Sequence, residues 1–269
     1  MSTPAHASKS GGFMRNNQAM PGKDRHRPGK FRFKQFSVSH HRSAMKVGVD
    51  GVLVGCWADV CGAKRILDVG TGCGVIALMM AQRAPEAEIT GIDIDRDSVE
   101  EAVENAVASP WRSRILIRQD AFSAEFCSRS VSEGKFDLIV SNPPYFDSGL
   151  SNASTPREVA RHQGDLSPHT LLFHSCRLLS DGGRLAMVVP LEVADDVEAT
   201  AAVCGYQLER KCYVRGHANA PWKRMLLQWR HGGETASSAP AIGHLTLEIS
   251  PGVPTDEYRT LGKDFYLKF

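Results

Sequence analysis

The tetrad Asn142-Pro143-Pro144-Tyr145 follows the apolar run Phe136-Asp137-Leu138-Ile139-Val140-Ser141 without a gap. An asparagine ahead of two prolines suits the handling of a planar nitrogen. A residue before proline is pushed out of the helical region, so Asn142 and Pro143 are both held extended and the backbone fixes their oxygens in advance. An amino or amide nitrogen has a delocalised lone pair and attacks poorly. If the Asn142 side-chain oxygen and the Pro143 carbonyl each accept one of its N–H groups, the nitrogen is drawn towards sp3 geometry. Its lone pair then turns towards an electrophile, with the Tyr145 ring stacked on the base that carries it. The chemistry is group transfer to a planar nitrogen, with Asn142, Pro143, Pro144 and Tyr145 as the catalytic set.

A second motif supplies a partner for that chemistry. Asp68-Val69-Gly70-Thr71-Gly72-Cys73-Gly74 joins a short apolar strand to a helical stretch, the context in which a glycine-rich turn lets backbone approach a ligand. Its spacing is G-x-G-x-G with an acid two residues ahead, not the G-x-G-x-x-G that seats a dinucleotide pyrophosphate. S-adenosyl-L-methionine carries no phosphate. Its methionine moiety needs the room that Gly70, Gly72 and Gly74 leave, and its ammonium needs a carboxylate such as Asp68. Asp93 closes the next strand, where one carboxylate can accept from both ribose hydroxyls. Asp120-Ala121-Phe122 closes the third, placing an acceptor for the adenine amino group and a ring beside it. The alternative, a glycine turn with capping aspartates, stays open on spacing alone.

The elements that must hold these loops can be read from periodicity. A helix is expected over 44–60, a strand over Arg65–Val69, a helix over 75–84, a strand over Glu88–Asp93 and a helix over 95–108. Strands over 114–119 and Phe136–Ser141, a helix over 166–179 and a strand over 183–189 continue the alternation. A helix over 191–203 follows, then alternating segments 206–215 and 223–230 that read as a hairpin closing the sheet. Gly232–Pro240 reads as a linker, and 244–269 as a further strand with Tyr258, Phe265 and Tyr266 packing back on the core. The fold class expected is a Rossmann-like, doubly wound α/β domain whose mostly parallel sheet carries every motif loop at its carboxyl edge.

Composition limits the setting. A chain of 269 residues with 42% hydrophobic and 23% charged residues reads as a soluble globular protein. No apolar run reaches the ~18 residues of a membrane span, and the first thirty residues lack the apolar centre of a secretory signal. The seven cysteines never occur as C-x-x-C, so neither a metal site nor a disulfide framework is expected, and the localisation expected is cytoplasmic. Residues 1–30 read as a disordered basic leader, and 31–269 as the folded domain. Over residues 1–34, eight cations oppose the single acid Asp24, a net of +7 in a chain of net +2. Such a polycation is either a solubilising tail or an arm drawn to phosphates.

These motifs resemble the class I S-adenosylmethionine-dependent methyltransferases, and the N-P-P-Y tetrad its amino-methylating branch. The likeness narrows further. Phe33-Lys34-Gln35-Phe36, the run from His41 through Met45-Lys46-Val47-Gly48-Val49-Asp50-Gly51 to Trp57, Ser109-Pro110-Trp111, the stretch Pro156–Arg161 and Phe265-Tyr266-Leu267 resemble the bacterial tRNA1(Val) adenine-N6 methyltransferases. The resemblance spans 31–269 and implies a seven-stranded sheet, with Lys46 and Asp50 bordering the cofactor and S-adenosyl-L-homocysteine as the product. The substrate it implies is the adenine 3′ of the anticodon in a tRNA. Arg157 and Arg161 are then candidates for phosphates flanking the splayed adenine. Other readings are a release-factor glutamine N5-methyltransferase, which faces the same nitrogen geometry, an rRNA or DNA amino-methyltransferase, and a non-catalytic RNA-binding protein. The expected partners are tRNA and the cofactor, with no membrane and no metal.

Overall fold

The computed structural model describes residues 29–43, 45–144, 166–233 and 239–269. Short strands β1 (Lys30–Arg32) and β2 (Ser37–Ser39) pair antiparallel and lead into helix α1 (Val49–Trp57). The expected alternation then follows: β3 (Arg65–Val69), α2 (Val75–Arg83), β4 (Glu88–Asp93), α3 (Arg96–Val107), β5 (Ile115–Gln119), α4 (Ala124–Ser130) and β6 (Phe136–Ser141). Beyond it lie α5 (Pro168–Ser175), β7 (Leu179–Pro190), α6 (Leu191–Val203), β8 (Tyr206–His217), β9 (Arg224–His231), β10 (Ala241–Ser250), β11 (Val253–Pro254) and α7 (Asp256–Gly262).

The large sheet runs β11-β10-β8-β9-β7-β6-β3-β4-β5. Strands β7, β6, β3, β4 and β5 are mutually parallel neighbours, and β9 runs antiparallel between β7 and β8. The sheet therefore has nine strands rather than seven. The seven from β5 to β8 form the doubly wound arrangement, and β10, parallel to β8, with β11 extends it beyond the hairpin that was expected to close it. Near-continuous apolar runs in β3, β6 and β7 suit strands covered on both faces. Alternate residues divide accordingly: Ile66, Leu138 and Val188 face a cluster with α1, α2 and α7, while Leu67, Ile139 and Met187 face one with α5 and α6. Tyr258, Phe265 and Tyr266 do pack back on the first cluster.

Several element ends differ from the periodic reading, each for a local reason. Helix α1 starts only at Val49, after Gly48 takes an extended N-cap (φ −105°, ψ 160°). Helix α5 starts at Pro168, because the Ser167 side chain caps it and proline fits the first helical turn. Its tail, expected to run to 179, gives way to β7 at Leu179. Helix α4 is an addition to the expected elements; its Ser123 cap accepts from Phe126 N, but seven residues are too few for apolar periodicity to stand out. The leader, up to residue 28, lies outside the described residues.

The described residues between β2 and α1 have no regular structure, yet they are firmly tied. Glu101 on α3, with no solvent exposure, accepts from the amides of His41 (2.9 Å), Arg42 (3.2 Å) and Ser43 (2.9 Å) and from the Ser43 hydroxyl (2.5 Å). One helical turn on, Asn105 bonds both backbone groups of Ser39 and donates to the Cys73 carbonyl (2.9 Å). Burial alone would raise the Glu101 carboxyl; the Ser43 hydroxyl and the three amides outweigh it and hold the group below its ordinary value. Glu101→Gln should therefore lose about 1–3 kcal/mol of stability, because an amide presents donors to donors. A lowered folded value means the stabilisation is present above the ordinary glutamate range and lost as pH falls through the folded one. Thermal denaturation of both proteins should show the gap narrowing in acid; a gap constant with pH would rule this account out.

Candidate active site

A cavity of about 510 Å³ opens at the carboxyl edge of the sheet. Its floor is the glycine loop between β3 and α2. Gly70, Gly72 and Gly74 all take positive φ (69°, 54° and 82°), a region that costs other residues strain, and a Cβ on Gly70 would stand 2.8 Å from the end of the Leu166 side chain, which would have to shift. The amides of Gly70 and Thr71 both donate to the Ile92 carbonyl at 2.9 Å, which docks the loop on the end of β4.

Asp68 works beneath this loop rather than in the cavity. Fully buried, its Oδ2 accepts from the Thr71 hydroxyl (2.6 Å) and the Ala77 amide (3.0 Å), so it ties the loop to the first turn of α2. It does not line the cavity, and its Oδ1 has no hydrogen-bond partner among the described residues. Gly74 likewise serves as the N-cap of α2, against Ala102, and is not part of the wall. Asp50 is ion-paired with Arg224 at the start of β9 and borders the cavity only through its neighbour Gly51. Pro143 is buried outside the wall, whereas Asn142 and Pro144 line it. Tyr145, Arg157 and Arg161 lie outside the described residues.

The other expected residues converge. Lys46, Gly70, Gly72, Asp93, Asp120, Ala121, Phe122 and Asn142 all line the cavity. Asp93 is set by backbone: Oδ2 accepts from Gly72 N (2.8 Å) and Oδ1 from Asp95 N (3.0 Å), so each oxygen keeps a lone pair for a ligand. Asp120 is shared, because Arg129 makes two bonds to it (2.7 and 2.9 Å). Phe122 presents one side to the cavity and packs its ring against Phe126 and His174. The Ser141 hydroxyl donates to the Val69 carbonyl (2.7 Å), locking the strand end that launches Asn142 to the one that launches the glycine loop.

Sequence reasoning missed several wall residues, Ile94, Met45, Ser98, Leu166 and Cys73 among them. Ile94 is 62% exposed directly after Asp93, and an apolar residue left bare at a strand end was a readable signal. Met45, half exposed, and Ser98 reach the cavity through the tertiary ties of α3, which no local pattern announces. Ser98 also donates its hydroxyl and amide to Asp95, which keeps that carboxyl below its ordinary value. Leu166 comes from far along the chain. Burial pushes the Cys73 thiol up to about 12, so it meets a ligand as a neutral small residue.

The groups present suit an adenosyl ligand: a two-oxygen acceptor at Asp93, a loop without side chains at Gly70 and Gly72, and apolar walls at Ile94 and Phe122. Comparison with known proteins agrees. Residues 52–195 match the family model of the methyltransferase small domain. The tRNA1(Val) (adenine(37)-N6)-methyltransferase of Tolumonas auensis is 41% identical over 241 residues, which cover 88% of this chain and 97% of that protein. That of Parabacteroides distasonis is 42% identical over 238 residues, covering 88% and 98%. The chain belongs to this family. Among solved structures, a "predicted O-methyltransferase" from Agrobacterium tumefaciens superposes with a TM-score of 0.59 at 19% identity, covering 80% of this chain and 96% of that one, which shows the shared fold. Among the described residues of this family member, no cluster of three or more His, Cys, Asp or Glu suits a metal, and no helix is long and apolar enough to cross a membrane.

Two expectations follow from the geometry. Asp93→Ala should weaken S-adenosylhomocysteine binding by about 1.5–3 kcal/mol for each charged hydrogen bond lost, read by calorimetry; an unchanged dissociation constant would make Asp93 a backbone cap only. Burial raises the Asp68 carboxyl to about 7 in spite of its bonds to Thr71 and Ala77. A raised folded value means stability is full below the ordinary aspartate range and is lost as pH climbs through about 7. Asp68→Asn should flatten that decline in thermal midpoint between acid and mildly alkaline buffer, and an undiminished slope would count against it.

Proposed function

We propose that the protein methylates the N6 amino group of adenine 37 in tRNA1(Val), with S-adenosyl-L-methionine as methyl donor. The observation that carries this is the placement of Asn142 and Pro144 on the same cavity wall as the glycine loop and Asp93, in a chain whose family relatives are named for that reaction. The release-factor, rRNA, DNA and non-catalytic readings draw no comparable support from its relatives.

In this reading Asp93 holds the ribose hydroxyls, Gly70 and Gly72 leave room for the amino-acid portion, and Ile94 and Phe122 flank the adenine. Lys46 and Met45 close the open side. The bound donor supplies a methyl group on a positively charged sulfur, an electrophile that needs only a correctly aimed lone pair. Aiming it falls to the tetrad. The Asn142 side-chain oxygen and the Pro143 carbonyl accept the two N–H groups of the adenine amine, Tyr145 stacks on the base, and the Ser141–Val69 bond keeps this turn in register with the donor loop. Those acceptors also take the positive charge that develops on the nitrogen as it attacks, which is where preorganised dipoles accelerate most. Arg157 and Arg161 are assigned to the phosphates beside the splayed base, and the basic leader to sequence-independent attraction of RNA.

Asn142→Ala should leave S-adenosylhomocysteine affinity near wild type and lower turnover by about 10²–10³, the cost of one preorganised polar group. The substrate is tested by mass spectrometry of nucleosides from purified tRNA1(Val), taken from cells with and without the gene. Loss of N6-methyladenosine at position 37 is the expected result, and an unchanged level would overturn the assignment.

A further inference from the structure

Along the same carboxyl edge, beyond the tetrad, lies a cluster of rings that the reaction does not use. The turn joining β8 to β9 is pinned beside the end of β7: Pro190 pairs with Arg224, and the Leu191 amide donates to the Lys223 carbonyl (2.9 Å). Trp222 stands in that turn. From β6, which launches Asn142, to β8 is three strand spacings in the order β6-β7-β9-β8, or roughly 14 Å.

On β8, Cys212 and Val214 face the core cluster of α1 and α2, so Tyr213 and Arg215 project from the opposite face. Across the β8–β10 pairing, Tyr213 stacks on His244 with centroids 5.3 Å apart and planes within 12°. Trp222 meets His244 at 5.3 Å and Tyr213 at 6.2 Å, and the Arg215 guanidinium lies over the Trp222 ring at 4.3 Å. Trp222 is partly buried and reaches the second core cluster through Tyr213, while the exposed His244 beside it lies outside both clusters.

The charges decide what it suits. Lys211 is matched by Glu198 and Arg224 by Asp50, while Glu248 stands opposite His217 in the strand register. Arg215, whose Nε donates to the Thr246 hydroxyl, and the exposed Lys223 have no carboxylate partner among the described residues. Stacked rings bordered by two uncompensated cations form a surface for unpaired nucleotides: bases lie on ring and guanidinium planes while phosphates meet the cations.

We propose that Trp222 and His244, with Arg215 and Lys223, form a second, non-catalytic RNA site that stacks an unpaired base of the loop carrying the target adenine. This rests on the tRNA reading above and adds the element that holds the loop while the tetrad takes one base. Trp222→Ala in the full chain should raise both the dissociation constant for tRNA1(Val) and the tRNA KM by about tenfold, or ~1.4 kcal/mol. Its kcat, S-adenosylhomocysteine affinity and thermal midpoint should hold, and Trp222→Phe should restore most of the loss. Arg215→Ala should remove about 0.7–0.9 from the log–log salt slope of tRNA binding, which Trp222→Ala should leave alone. A Trp222→Ala protein with wild-type tRNA affinity and KM overturns the proposal, whether the cluster is then structural or takes a protein partner. So does a loss of cofactor affinity in parallel with tRNA affinity. Failure of the wild-type protein to methylate any tRNA is a separate result, and it removes the reading of the activity itself together with this site.

Discussion

The carboxyl of Asp68 sits at zero exposure beneath the first turn of α2, accepting from the Thr71 hydroxyl and the Ala77 amide. Both bonds cross the junction where the chain leaves a parallel strand, turns through three left-handed glycines and enters a helix. Desolvating a carboxyl there is costly enough to move its titration to about 7, and the junction's rigidity is what that cost secures. The Asp68 carboxyl acts together with the Ile92 carbonyl, Asp93 and Asn105, which also hold the loop over the sheet. The cavity floor, the Gly72 amide that orients Asp93 and the start of α2 all follow from that one buried group.

A second buried acid does the same for the roof. Glu101 gathers three consecutive amides of an irregular segment, and Asn105 ties that segment and the glycine loop to one helix face. Helix α3 thereby fixes floor and roof relative to each other, which brings Met45 and Lys46 to the open side of the cavity. Charges without regular partners are used here as anchors, because an irregular backbone has amides that no ladder satisfies.

The outer sheet has a different task. Strand β9, antiparallel between β7 and β8, returns the β8–β9 turn to the carboxyl edge, and β10 then adds His244 beside Tyr213. The edge therefore extends from the adenosyl cavity through the N-P-P turn to the Trp222 cluster. In the reading proposed above, the cavity takes the methyl donor and one nucleoside, and this longer surface takes the rest of the RNA loop.

The glycine loop, Asp93, the position of Asn142-Pro143-Pro144 at a strand end and the alternation that makes a doubly wound sheet are all legible along the chain. These are local: strand and helix periods, proline and glycine geometry and an acid at a strand terminus are all written within a few residues of one another. Tertiary structure decided the rest. Asp68 and Gly74 have the residue types of ligand contacts, yet burial and capping, which depend on where α2 and α3 pack, turn them to structural use. Asp50 is taken by Arg224 from a distant strand, and Met45, Ser98 and Leu166 join one wall from three separate segments. The place of β10 beside β8, and the ring cluster it completes, arise from a pairing between residues some thirty positions apart, as in Tyr213 with His244. Spacing along a chain carries no trace of such pairings, because strand partners are chosen by the sheet as a whole.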